Sequence, residues 1–600
     1  MRRFLMYVLL IADLVAPCCG MAQQAGEETT QQKPGEIQMQ FGVQIPLRDG
    51  VKLGATIYKP LRMDKPLPVV LYLSPYPGDP EHPSGTYYAR RGYIYAHVDV
   101  RGRGDSQGKF DPMAQEANDG YDVVEWLAKQ PWCDGEVAMW GGSYNGYDQW
   151  ATASTHPPHL KTIVPVASVR PSVDFPMRNG IMESYAMQWL TFTSGKPLFT
   201  DIFANFEYWN DVNLRMFNGK VPFAKLDDLA GNKTTVFQTW IEHPDFDSYW
   251  RQMALTREQV ANINMPVLAI TGQADGDQGG TLSYYADHRT SHDPKTLDMY
   301  YLVIGPWNHG GTRKPERKLG NIEFGPASLL DVLRLQKEWY DWTMKRGSKP
   351  GFLKEHVAYY VEGPDAECWK YAESLETLPT GSDLFYLGSD TGSGNAKDVF
   401  HSGMLATAPS DGAPDTFISD PNDLSAAKPS AANEGADLHG NGVVYTTAPF
   451  DKTTEVDGFT DLRLWLKVDA PDTDLQYALY LVAPNGTARE LTSDVLRARY
   501  RNGKEHPEPL RPNQPEEFVF PHSQWFSHRA PAGSRLRLVI EALNVPDYEK
   551  NWNSIKPVAE QSGADARVAH IQVLHDAEHR STLRVPTGDP SVTCIASAAW

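Results

Sequence analysis

Cysteine is scarce in this chain, with 5 in 600 residues, and two of these, Cys18 and Cys19, sit in the N-terminal segment. The remaining three, Cys133, Cys368 and Cys594, are widely spaced and odd in number. A disulfide framework is therefore not the organising principle, and at most one bridge can form. Cys133, in the turn before an apolar strand, reads as a buried thiol. Positive charge is short as well: 56 Lys and Arg stand against 75 Asp and Glu, a net charge of −19 with no basic block. That argues against nucleic acid or an anionic membrane as a partner. No apolar run is comfortably long enough to span a bilayer. There is no phosphate-cradling loop or dinucleotide fingerprint, so no nucleotide cofactor is implied.

What remains is ordinary globular material, 41% hydrophobic and 22% charged. Its length exceeds what one core supports, so two or three domains are expected. Arg2-Arg3 precede the apolar run Phe4 to Val15, and Gly20-Met-Ala22 offers a small-x-small cleavage site. The expectation is a signal peptide over 1–22, a polar disordered lead-in over 23–36, and a periplasmic or secreted protein. A lipid anchor on Cys18 or Cys19 fits the neighbouring Pro17 poorly.

The chemistry is concentrated in Val137-Ala-Met-Trp-Gly-Gly-Ser-Tyr-Asn-Gly146. An apolar strand ends in two glycines, a serine follows, and a glycine comes three residues later. This is the writing of a nucleophile elbow, in which a strand reverses into a helix and lifts the Ser143 hydroxyl to the helix N-terminus. Asn145 stands where the strict pattern has its second glycine. Upstream, Tyr93 to Val100 reads as a buried strand and Asp119 to Gln130 as an amphipathic helix ended by Pro131, completing a βαβ unit. Two more strands, Met265 to Gly272 and Met299 to Gly305, deliver Asp275 and His309 just past their ends. The order Ser, Asp, His is that of the α/β-hydrolase triad.

Around these residues the chain resembles the α/β-hydrolases that include X-prolyl dipeptidyl aminopeptidases, cocaine esterase, α-amino-acid ester hydrolases and glutaryl-cephalosporin acylases. The resemblance is carried by Pro46 to Leu53, Ser74-Pro-Tyr-Pro77, Asp99 to Gly104, Asp119 to Asp122, Gln130-Pro-Trp132, Gly141 to Gly146, Gly305-Pro-Trp-Asn-His309 and His575 to His579. It implies Ser143 as nucleophile, Asp275 as orienter and His309 as base. It also implies an oxyanion hole from the Tyr76 hydroxyl and the Tyr144 backbone N–H. Neither a metal nor a cofactor is implied.

In the amino-acid-ester hydrolases of this family, three carboxylates hold the substrate ammonium. Here Asp277 fills the first place and Gln278 the second, while Asp174 approaches the third about one residue out of register. Trp307 joins Asp174, Asp277 and Gln278 as a candidate substrate contact. The acids are either ammonium ligands or solvated loop acids, and the residues alone leave both open. A helical cap over 171–255, rich in aromatics, is expected to cover the site, some of its rings lining an acyl pocket. It divides a catalytic domain of 37–170 and 256–350.

From 351 to 600 the period becomes two, and the resemblance makes this an all-β jelly-roll sandwich. Gly388 to Gly440 reads as long surface loops. The motifs Arg103-Gly-Asp105, His288 with His292, and His575 with His579 carry no separate chemistry. The expected activity is serine acyl hydrolysis of a small-molecule ester, amide or short peptide, with or without an α-amino group. An X-Pro dipeptidyl exopeptidase is one alternative, and a surface- or carbohydrate-binding protein with a vestigial hydrolase domain is another. A homo-oligomer stays open.

Overall fold

The computed structural model describes residues 36–597, apart from 79–80, 172, 390–395, 426–439 and 521–522. The expected signal peptide and most of the lead-in lie outside the described residues.

The first half is built on one sheet of ten strands. In chain order these begin β1 (Ile37–Pro46), β2 (Lys52–Pro60), β3 (Leu67–Ser74), β4 (Ile94–Asp99), β5 (Cys133–Ser143) and β6 (Leu160–Ser168). A cap hairpin, β7 (Met177–Arg178) and β8 (Ile181–Met182), and several cap helices follow. The sheet then resumes with β9 (Val267–Ala274) and β10 (Tyr300–Asn308). A short hairpin of β11 (Lys318–Leu319) and β12 (Ile322–Glu323) precedes β13 (Val357–Val361) and β14 (Cys368–Ala372). The spatial order is β1-β2-β4-β3-β5-β6-β9-β10-β13-β14.

From β4 through β13 neighbours pair in parallel. Such strands are covered on both faces, which is why they read as unbroken apolar runs rather than alternating ones. Leu67–Ser74 and Val267–Ala274 are buried almost throughout. Past the expected boundary at 350, β13 and β14 still pair with this sheet, and the first strand of the second large sheet is Gly381–Gly388.

Cap helices from Tyr185–Phe192 to Arg257–Ala261 lie between β8 and β9, and their aromatics form a core around Trp189, Trp209, Trp240 and Trp250. Among the described residues the second domain has a hydrogen-bonded network of eleven strands and a separate pair, Thr454–Gly458 with Phe526–Ala530, around a core of its own. The segment expected to be loops contains two of its strands, Gly403–Ala406 and Asp415–Ser419. Their brevity hid them, since four or five residues carry too little alternation to stand out from Ser, Gly and Pro neighbours.

The two domains are stitched closely. Lys370 of β14 and Arg529 of the sandwich both pair with buried Glu455. Cys368 is disulfide-bonded to Cys594, and the terminal segment adds a bridge between Trp369 and Ile595. Cys133 is a buried free thiol, pushed up to about 11 by that burial, which keeps it unreactive.

Candidate active site

The serine is held by the strain its motif predicts. Ser143 has φ 64° and ψ −124° between the last residues of β5 and the helix Tyr144–Ala153. A Cβ on Gly146 would run into Ser168 of β6, so the helix crosses its neighbouring strand only because that position is bare. Asn145, which displaced the expected glycine, has its own task. Its Nδ2 donates to Ser74 Oγ at 3.2 Å, and the same oxygen accepts from Tyr76 N at 3.0 Å. The elbow and the Tyr76 loop are thus tied through one hydroxyl.

Parallel neighbours β5, β6, β9 and β10 bring Ser143, Asp275 and His309 to one edge of the sheet, at the carboxyl ends where α/β proteins gather ligands. His309 Nδ1 lies 2.8 Å from Asp275 Oδ1. Asp275 is fully buried and also accepts from Thr271 Oγ1 at 2.8 Å and Asp277 N at 3.0 Å. With Nδ1–H donated to the carboxylate, Nε2 is left as the basic nitrogen. Burial first, and then the nearby Arg313 charge, hold His309 below its ordinary range against the opposing pull of Asp275. The ring is therefore a neutral base near pH 7. Ser143 Oγ, however, donates to Asp277 Oδ2 at 3.4 Å rather than to the imidazole.

Tyr76 receives a hydrogen bond from Trp189 Nε1 at 2.9 Å and stacks on Phe192, both from the cap. With the indole as donor, the Tyr76 proton is free for another acceptor. Burial pushes the phenol far up, so it remains protonated. The Tyr144 N–H opens the helix after the elbow and is one of the four that no helix can satisfy internally.

A cavity of about 240 Å³ opens on Ser143 and His309. The catalytic domain supplies Asp277, the cap supplies Phe175, Glu183, Tyr185 and Trp189, and the sandwich supplies Tyr477, Glu490 and Asp547. Two of the candidate substrate contacts do not reach it. Gln278 is fully buried, donating to Gly272 O and Trp525 O and accepting from Trp525 N, so it clamps the catalytic domain to the sandwich. It opens the helix Gln278–His288, whose first turn carries it away from Asp277. Trp307 is packed in the sheet core and donates to Ser328 O at 2.8 Å. Its place before Asn308 and His309 put it near the site in sequence, but the strand pleat sends its ring the other way. Asp174 does line the cavity, yet Oδ1 takes Arg170 N and Oδ2 takes Gly280 N, so it mainly fixes the loop.

Glu183 and Asp547 were not visible as site residues. Their main chains meet across the seam between cap and sandwich, where Ser184 N donates to Asp547 O at 2.8 Å and Glu183 bridges Tyr548. Burial pushes Glu183 up to about 8, Asp547 to about 7 and Asp174 to about 7. It drives Asp277 well above the usual carboxylate range too, helped by Asp174, Asp275 and Glu183. Among the described residues, the guanidinium in the wall is that of Arg178, which pairs with Asp494 at 3.1 Å. Among the described residues Asp275, Asp277 and His309 lie close enough to share a metal ion. Asp275 nevertheless spends both oxygens on the hydrogen bonds already described.

A parallel sheet ending in a strained serine, with an Asp–His pair beside it and a second β domain over the pocket, defines a serine hydrolase of the α/β-hydrolase class. Comparison with known proteins agrees. Residues 49–311 match the model of X-Pro dipeptidyl-peptidase (S15 family), and residues 351–584 match the X-Pro dipeptidyl-peptidase C-terminal non-catalytic domain. The chain belongs to this family of peptidases and esterases. Cocaine esterase of Rhodococcus sp. (strain MB1 Bresler) is 26% identical over 590 residues, spanning 92% of this chain and 99% of that protein. Two solved structures share the fold. An aminopeptidase from the marine sediment archaeon Thaumarchaeota archaeon has a TM-score of 0.76 at 23% identity, covering 95% of this chain and 99% of its own. An α-amino acid ester hydrolase has a TM-score of 0.77 at 21% identity, covering 96% and 100%.

Proposed function

We propose that the protein hydrolyses small α-amino acyl esters or amides through a Ser143–His309–Asp275 triad and an acyl-enzyme. Ser143 turns from Asp277 toward His309, gives its proton to Nε2 and attacks the carbonyl carbon. The Tyr144 N–H and Tyr76 hydroxyl receive the oxyanion, His309 protonates the leaving group, and the same base then activates water for deacylation. Asp275 fixes the tautomer and stabilises the imidazolium.

The observation that carries the amino-acyl preference is the position of Asp277. An α-ammonium lies one atom from the acyl carbon, so its counter-ion must sit beside the nucleophile, and Asp277 Oδ2 is 3.4 Å from Ser143 Oγ. Glu183 faces the same cavity. A dipeptidyl substrate would place its ammonium a residue further from the scissile bond, where Asp277 serves it less well. Chromogenic aminoacyl, des-amino acyl and dipeptidyl-proline substrates separate these readings. The aminoacyl compound is expected to react fastest; equal rates for the des-amino compound would defeat the assignment. A vestigial, binding-only protein would fail to label with a fluorophosphonate, whereas labelling abolished by Ser143→Ala supports the enzyme.

We also propose that the protein is exported to the periplasm or beyond. The N-terminal signal pattern supports this, as does the Cys368–Cys594 disulfide, which oxidising compartments favour. Cell fractionation that finds the mature protein in the cytosol would refute it.

A further inference from the structure

Arg313 lies four residues beyond His309 in a tight turn: Thr312 N donates to Asn308 O, Arg313 N to Gly310 O, and Thr312 Oγ1 to His309 O at 2.7 Å. The turn locks the arginine to the base. Its side chain then lies flat against Gly142, the residue before the nucleophile. A Cβ there would stand 2.8 Å from Arg313 Cδ and 3.1 Å from Cζ, and would run into Nη1. Gly142 is therefore bare so that a guanidinium can lie beside the elbow.

That guanidinium is underused in the resting protein. Nη1 is sealed from solvent without a hydrogen-bond partner, and among the described residues Arg313 forms no ion pair. A buried donor left unmatched costs roughly 1–3 kcal/mol, more when charged, so such an arrangement calls for a reason. Its charge is felt by Tyr76, His309 and Asp277 together.

We propose that Arg313 is a cation of the catalytic centre, held in reserve for the anionic tetrahedral adduct that forms when Ser143 attacks. In that step the Oγ–C bond forms, the Oγ proton passes to His309 Nε2, and the carbonyl π pair becomes the oxyanion. Collapse returns the pair, breaks the bond to the leaving group and delivers the proton to it. Negative charge absent from the ground state appears within the field of a guanidinium whose Nη1 has no partner, so the interaction strengthens in the transition state. The same charge opposes the imidazolium, but Asp275 offsets that at 2.8 Å. Asp275, Asp277 and Arg313 are the charged groups facing His309, and Arg313 is the one whose removal moves the ring toward protonation.

The inference rests on Ser143 and His309 being nucleophile and base. Loss of turnover in Ser143→Ala tests that reading by itself. Arg313→Met and Arg313→Lys then test the arginine, with thermal midpoints checked for each. Arg313→Met should lower kcat at least about tenfold with KM changed less than about threefold. It should also move the acidic limb of kcat/KM to higher pH and weaken phenylboronic acid, which adds to serine as a tetrahedral anion, in step with kcat. Arg313→Lys should retain most of kcat and the original limb. If Arg313→Met does not fold, Arg313→Gln carries the same readouts. Wild-type kcat and pH profile in the neutral variant would overturn the proposal. So would an Arg313→Lys loss as large as that of Arg313→Met, which would mean that shape against Gly142 matters and charge does not.

Discussion

One oxygen of Asp277 lies 3.4 Å from the Ser143 hydroxyl and also 3.4 Å from Nδ1 of His309. The acid proposed to recognise the substrate thus also accepts the hydrogen bond of the nucleophile. On the proposed reading, a cationic group arriving at Asp277 would compete for that oxygen and free the serine to turn. Under the proposed function, binding and activation would thereby be coupled through a single carboxylate.

Asp277→Asn should lower kcat/KM for aminoacyl esters roughly ten- to a hundredfold, the worth of a charge-assisted hydrogen bond. Des-amino esters should be untouched or faster, because an amide competes less well for the serine proton. Steady-state kinetics on matched substrates reads both; equal losses on the two would contradict the coupling.

Glu183 should make both stability and substrate affinity depend on pH. Its ordinary value is 4.5 and burial lifts it to about 8 in the fold. A raised pKa means that the protonated acid is the one the fold favours. Its stabilising contribution is therefore complete below about 4.5 and lost as pH climbs through about 8. Thermal melts from pH 5 to 8.5 should show a steeper decline for wild type than for Glu183→Gln. Over the same interval KM for an aminoacyl ester should fall in wild type more than in Glu183→Gln, provided its ammonium stays charged.

Tyr76→Phe should cut kcat at least about tenfold while leaving KM nearly unchanged, the pattern of a donor used only at the oxyanion. Trp189→Phe should cost less, since it removes only the bond that orients the phenol. A Tyr76→Phe enzyme with wild-type turnover would take Tyr76 out of the oxyanion hole.

Replacing Cys368 and Cys594 by serine should destabilise the protein by about 2–5 kcal/mol, as removal of native bridges does. Turnover at moderate temperature should persist, because neither sulfur is near the cavity. Denaturant titration of the double variant against wild type measures this.

Much of the site could be read before the fold was seen, because its parts obey local rules. A serine between glycines at a strand end and partners past two later strands need no tertiary information. Gln278 shows where such reading stops. It follows Asp277 directly, but as the first residue of a helix it turns to Trp525 of the other domain, and sequence spacing cannot tell which of two adjacent side chains faces the pocket. Glu183 and Asp547 meet only through the pairing of cap and sandwich, so no local pattern marks them. The strands β13 and β14 lie past the expected boundary at 350 yet pair with the first sheet, a relationship that also exists only in the folded chain.

The bridge between Cys368 and Cys594 bears on how this protein would meet a protease. Residues 373–380, which join the two domains, lie between the bonded β14 strand and the first strand of the sandwich. A cut there severs the polypeptide but leaves its halves covalently joined, with Gln278 still clasping Trp525 and Asp547 still beside Ser184. A nicked enzyme of this design would run as two pieces only after reduction, and until then would keep its pocket whole.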